Sequence, residues 1–170
     1  MKKIEKLIME DLKRSGLSLE DAERMHLRSV GPEEMARIFP KAHVPACEFP
    51  YFDINGKLTG YCRYKLFGEF IPAGSKKSVK YLQPIGTKPQ FYFPPFCDWK
   101  KISNNPMISI FFVEGEKKSS ALAKLGKAAI GLGGIWSWRT RKDEISDPIS
   151  DFNLINWQNR KTVIAFDSDV

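Results

Sequence analysis

Three acidic residues follow two apolar runs. Met107-Ile-Ser-Ile-Phe-Phe-Val113 leads directly into Glu114, and Thr162-Val-Ile-Ala-Phe166 leads directly into Asp167, with Asp169 two residues further on. Nearly continuous apolar runs of this length suit strands buried on both faces of a parallel sheet. The carboxyl ends of such strands lie along one edge, where open α/β folds place their sites. If the two strands are neighbours, about 4.8 Å apart, Glu114 and Asp167 share that edge, and extended backbone sends Asp169 to the same side as Asp167. Three carboxylates crowded together repel one another unless a cation binds. Oxygen-only ligands suit magnesium or manganese. Such an ion orients phosphates and neutralises charge in phosphoryl transfer.

The connecting segments fit a βαβ layout. Ser119–Leu125 reads as a short helix stopped by Gly126, and Ala128–Leu132 as a further buried strand. Gly131-x-Gly133-Gly134 supplies a permissive loop after it but lacks the lysine of a P-loop. Trp136 and Trp138 flank Ser137, so both rings point one way if the backbone is extended, to pack on the sheet or to cover the site.

Upstream, residues 1–39 read as helical. Ile4, Leu7, Ile8 and Leu12 recur at helix spacing, Ser18 and Asp21 form a capping-box pattern, and Pro32 opens a third helix with Glu33 and Glu34 at its positive end. From His43 the pattern changes to short β-like runs. Asn55-Gly56 predicts a hairpin turn between Phe49–Asp53 and Leu58–Phe67, and Val79–Gln83 and Phe91–Phe93 are further strand candidates.

The charge is concentrated. The chain carries 27 basic and 20 acidic residues, a formal +7. Residues 57–101 contain nine basic side chains against two acids, which accounts for the whole surplus, interleaved with nine tyrosines and phenylalanines. Cations neutralise phosphates and aromatic faces stack on unpaired bases. The same stretch reads equally as a β-rich unit whose aromatics are its core and whose lysines are solvated.

Composition removes several classes. With 170 residues, 42% apolar and 28% charged, the chain is not a disordered polymer. No apolar run approaches the roughly 20 residues of a bilayer span, and the charged N-terminus lacks a secretory core. Cys47, Cys62 and Cys97 form neither a CxxC pair nor a disulfide framework, and with only His26 and His43 beside them they do not suggest structural zinc. The expectation is a cytoplasmic protein with no membrane partner.

The order strand, Glu-Gly, helix, strand, glycine loop, strand, Asp-x-Asp resembles the Toprim domain of primases, topoisomerases and some nucleases. Val113-Glu114-Gly115-Glu116 is similar to its glutamate motif and Phe166-Asp167-Ser168-Asp169 to its aspartate motif. Phe49-Pro-Tyr-Phe-Asp-Ile-Asn-Gly56, Tyr61-Cys-Arg-Tyr-Lys65 and Lys80-Tyr-Leu-Gln-Pro84 are similar to the basic subdomain preceding Toprim in phage primase-helicases. Glu114-Gly-Glu-Lys-Lys118 and Gly131-Leu-Gly-Gly134 resemble a Toprim-like family in replication proteins of phages, plasmids and other mobile elements.

The resemblance implies an α/β fold in three parts: a helical region 1–42, a basic β-rich subdomain 43–102 and an incomplete Toprim-like parallel sheet 103–170. It implies Glu114 as general acid/base or metal ligand, Asp167 and Asp169 as ligands of Mg2+ or Mn2+, and Arg63, Lys65 and Lys80 toward template or nucleotide. Lys76 and Lys77, in a basic loop after Gly74, are further candidates for contact with single-stranded DNA. Glu116 is a second acid of the motif, and Lys117 adds charge beside a common acidic position. Nucleoside triphosphates and a helicase domain or subunit are the further partners implied. The chain ends sooner after Asp-x-Asp than the family pattern and lacks its zinc ribbon, so a fragment with little polymerase activity alone is expected. A Toprim nuclease and a non-catalytic DNA-binding or docking module are the alternatives. A topoisomerase fits poorly, because nothing supplies its tyrosine nucleophile.

Overall fold

The computed structural model describes residues 3–140 and 147–167. The chain divides into two compact units, Met1–Pro50 with Gly60–Thr87, and Tyr51–Thr59 with Lys88–Val170.

The first unit starts with α1 (Lys3–Lys13) and α2 (Leu19–Arg24). At α2 the capping box is present as read: the Asp21 amide donates to Ser18 Oγ, and the Ser18 amide donates to the Asp21 carboxylate. The all-helical reading of residues 1–39 needs one correction. Arg28–Val30 is a strand, β1, antiparallel to β2 (Ala46–Phe52). Three residues are too few to show a period, and the pairing partner decides the conformation. Pro32 then occupies the first turn of α3 (Pro32–Ile38).

β3 (Leu58–Leu66) returns from the expected hairpin, and a four-stranded sheet runs β1-β2-β3-β4. In the turn, the Asp53 carboxylate accepts from the Asn55 and Lys57 amides, at 2.8 and 2.9 Å. These bonds, the Lys57 amide above all, hold its carboxyl below the usual range. Gly56 takes the left-handed φ of +76° that such a turn needs. The expected strand at 79–83 shrinks to β4 (Tyr81–Leu82). Val30, Met35, Phe39, Ala46, Tyr64 and Leu66 form this unit's core.

The second unit holds α4 (Trp99–Asn104), β5 (Ile110–Glu114), α5 (Glu116–Lys124), β6 (Ala128–Leu132), a 3₁₀ turn (Ser150–Leu154) and β7 (Thr162–Ala165). The strands β6-β5-β7 form a parallel sheet, Val113 standing opposite Gly131 on one side and Ala165 on the other. β5 begins at Ile110 rather than 107, because the Asn105 side chain accepts from the Met107 amide and holds a turn there. Phe91–Phe93 contributes a single bridge, Tyr92 to Gly131, instead of a strand.

One sheet face carries Ile110, Phe112, Ile130 and Leu132 against Phe91, Phe93, Trp99 and Ile149. The other carries α5, which approaches closely at Gly131. A Cβ there would stand 2.7 Å from Ser119 Oγ and 2.8 Å from the Gly115 carbonyl. β7 departs from the expected buried strand. It is an edge strand of the described sheet, and Ile164 is 69% exposed. Its entry is held by Arg160, whose guanidinium donates to the carbonyls of Ile102, Ser103, Ile108 and Asn156.

Gly131→Ala is expected to lower stability by about 1–3 kcal/mol through overpacking, read as a lower urea midpoint. Adding Ser119→Ala should recover only part of it, since the Gly115 carbonyl stays in place.

Candidate active site at the carboxyl edge of the parallel sheet

Because β5 and β7 are hydrogen-bonded neighbours running the same way, Glu114 and Asp167 leave the sheet at the same edge. Glu114 is the last residue of β5 and half-buried, while Asp167 lies two residues past β7 and is exposed. Side-chain alternation assigns Asp167, with Val113 and Ala165, to the α5 face, and Glu114, with Leu132, to the opposite one. An ion shared by both must sit beyond the strand ends. Asp169 lies outside the described residues.

The chain turns sharply after Glu114. Gly115 has φ +81°, a conformation that other residues adopt only with strain, and α5 starts at the next position. Its first residue, Glu116, is fully buried, with Oε1 accepting a hydrogen bond from the Tyr51 hydroxyl at 2.8 Å. The Tyr51 ring meets Tyr92 edge-on, with centroids 5.0 Å apart. The Ser119 hydroxyl lies within hydrogen-bond reach of the Gly115 and Glu116 carbonyls. The Tyr51 hydroxyl thus supplies a donor to the buried carboxylate, as burial of such a group requires, while the Ser119 hydroxyl serves the backbone. Glu116 is enclosed beneath the edge, whereas Glu114 is half-buried at it.

Lys118, in the first turn of α5, donates from its ammonium to Asp167 Oδ2. Alternation explains the pairing, since Asp167 falls on the face that α5 covers. The carboxylate chemistry fits a hard divalent cation, and a cationic group already sits on one carboxylate. Among the described residues, no cluster of three His, Cys, Asp or Glu side chains is assembled to hold a metal. Of the three acids expected to hold a metal, Glu114 and Asp167 are the ones among the described residues.

The expected DNA-facing side chains separate into two groups. Arg63 is buried, with its guanidinium 4.8 Å from the centre of the Tyr81 ring. Lys65 is mostly enclosed and paired with Asp11. Lys76, Lys77 and Lys80 are exposed, the first two in the loop before β4. Lys117 is half-buried on α5. Trp138 packs on the core of the second unit, Trp136 is exposed, and the Arg139 guanidinium lies 4.5 Å from the Trp136 ring centre.

Neither Tyr51 nor Lys118 is among the site residues that the sequence suggests. Tyr51 sits 65 residues before Glu116, so no local spacing marks the pair. Lys118 had one local signal, its place on the helix that starts at the Glu-Gly turn.

Residues 98–170 match the domain of unknown function DUF3854. An uncharacterised protein of Picosynechococcus sp. is 34% identical over 79 residues, which span 42% of this chain and 8% of that protein. Among solved structures, the chain is similar to a DnaG primase catalytic domain bound to ssDNA, with TM-score 0.56, 16% identity, and coverage of 99% of this chain and 58% of that one. The E. coli primase catalytic core gives TM-score 0.55, 17% identity and coverage of 99% and 57%. The mixed α/β fold, with its parallel sheet, is similar to part of a primase catalytic core. The chain spans just over half the length of those two primase chains and less than a tenth of the Picosynechococcus protein. No described helix is long and apolar enough to cross a membrane.

Tyr51→Phe is expected to cost about 2–3 kcal/mol, because it removes a donor from a buried carboxylate. In a double-mutant cycle with Glu116→Gln the two changes should be non-additive by at least about 1 kcal/mol in urea unfolding.

Proposed function

We propose that this chain is a primase-type nucleotidyl-transfer module of a DNA-replication protein carried by a phage, plasmid or other mobile element. The observation that carries the reading is the exit of Glu114 and Asp167 from neighbouring parallel strands at one edge of a primase-core fold. In this reading residues 103–170 form the catalytic part, 43–102 the template-gripping part, and 1–42 a helical support.

Asp167 and Asp169, with Glu114, would hold Mg2+ or Mn2+, which when bound supplies charge neutralisation at the phosphates. Glu114 accepts the proton of the attacking 3′-hydroxyl. The hydroxyl oxygen forms a bond to the α-phosphate of a nucleoside triphosphate, and pyrophosphate leaves. Most of the barrier reduction is positioning and electrostatics. Lys76, Lys77 and Lys80 are the solvent-facing cations that would grip single-stranded DNA, with Arg63 and Lys65 behind them holding the unit together. The DnaG domain solved bound to ssDNA supports this partner. A helicase domain or subunit is the further partner.

The test supplies the chain with magnesium, the four ribonucleoside triphosphates and single-stranded DNA. Slow synthesis of labelled oligoribonucleotides is expected, falling at least about a hundredfold in Glu114→Gln. Shortened DNA without oligoribonucleotides would select the nuclease instead. Absence of any magnesium-dependent reaction, with DNA binding untouched by Glu114→Gln and Asp167→Asn, would leave only a docking module. Separately, Lys76→Ala, Lys77→Ala and Lys80→Ala combined should weaken DNA binding and flatten its logarithmic salt dependence by about 2. Arg63→Ala and Lys65→Ala should chiefly lower thermal stability.

A further inference from the structure

Lys118 is the third residue of α5, and its ammonium donates to Asp167 Oδ2 across 49 positions of sequence. A positive side chain in the first helical turn is disfavoured by the helix dipole, so α5 alone gives no reason for a cation there. The carboxylate at the sheet edge gives one. Asp167 is the described acid that alternation turns toward α5, and the ammonium holds one of its two carboxylate oxygens with a charge that a metal would have to replace. Both partners are about half exposed, at 46% and 59% of their side chains. A pair so open to water holds weakly. It can be displaced by a divalent cation, but not without a measurable penalty.

We propose that Lys118 is a built-in competitor of the divalent cation for Asp167, a tethered monovalent charge that occupies the site until the metal displaces it. This rests on Asp167 belonging to the cation site proposed above, and it adds to that reading a residue that sets how tightly the ion is held. Lys118 touches a ligand of the ion rather than a reacting atom, so it is a positioning residue. It acts on the metal's affinity, and it does so through Asp167 alone. An arginine in its place keeps the charge and the reach to a carboxylate, while a methionine keeps the length of the stem without the charge.

The experiment measures Mn2+ affinity without nucleotide, from the paramagnetic resonance signal of the free ion at constant ionic strength. The proteins are the wild-type chain, Lys118→Met, Lys118→Arg, Asp167→Asn, and Asp167→Asn combined with Lys118→Met. Lys118→Met is expected to bind Mn2+ about fivefold more tightly, the equivalent of about 1 kcal/mol. Lys118→Arg should bind Mn2+ no more tightly than wild type, since its fork can take both carboxylate oxygens, and Lys118→Met should change nothing in the Asp167→Asn background. Equal affinities in wild type and Lys118→Met would overturn the proposal while leaving the cation site standing. The same gain in the Asp167→Asn background would also overturn it, since the effect would then be charge at a distance. Failure of every protein to bind Mn2+ would remove the cation site itself, and this proposal with it.

Discussion

Parallel pairing of β5 with β7 is the constraint on which the candidate chemistry depends. Ile110 through Val113 run in register with Thr162 through Ala165, and that register carries both chains to the same edge before either meets its acid. A register shift of one residue would exchange the faces of every side chain on β7, moving Asp167 away from α5. Arg160, bonded to four backbone carbonyls just before β7, restrains the strand's entry and so its register. β6 completes the arrangement on the other side, with Leu132 standing opposite Glu114.

The helix that follows Glu114 is held by two kinds of contact. Gly131 lets α5 approach until no Cβ would fit, and the buried Glu116 accepts from the Tyr51 hydroxyl. Both act within one turn of Glu114, so packing holds the turn by which the chain passes from β5 into α5. The two acids differ in consequence. Glu116, enclosed and bonded, would lose far more by breaking its pair than Asp167, whose bond to Lys118 is open to water. Strong, dry interactions set the framework, and the weak, wet one is left at the edge, where an ion could exchange.

Much of the local structure was legible because it depends on residues within a few positions of one another. The Ser18–Asp21 capping box, the Asn55-Gly56 turn, Pro32 at a helix start, and the β5–α5–β6 succession all follow from short-range geometry and hydrophobic period. Arg28–Val30 reads as helix and the strand at 79–83 reads too long, because strands of two or three residues are made by their partners. β7 looked like a buried strand from Val163, Ile164 and Phe166. Its edge position leaves Ile164 exposed, and apolar composition does not say which face or edge a strand will occupy.

The candidate site divides in the same way. Glu114 and Asp167 could be named from sequence because each directly follows an apolar run, and strand ends in a parallel sheet share an edge. Whether those strands would be neighbours could not be read, since chain order places β6 between them while the sheet places β5 in the middle. Nor could the enclosure of Arg63 and Lys65, the Tyr51–Glu116 bond or the Lys118–Asp167 pair be read, as each joins residues whose separation along the chain says nothing about distance in space. Sequence by itself determined which residues carry charge and where each element begins to form, because those are properties of the side chains and their immediate neighbours. Tertiary structure alone decided which charges are spent inside the fold and which remain at its edge, because burial and pairing exist only once distant segments have packed.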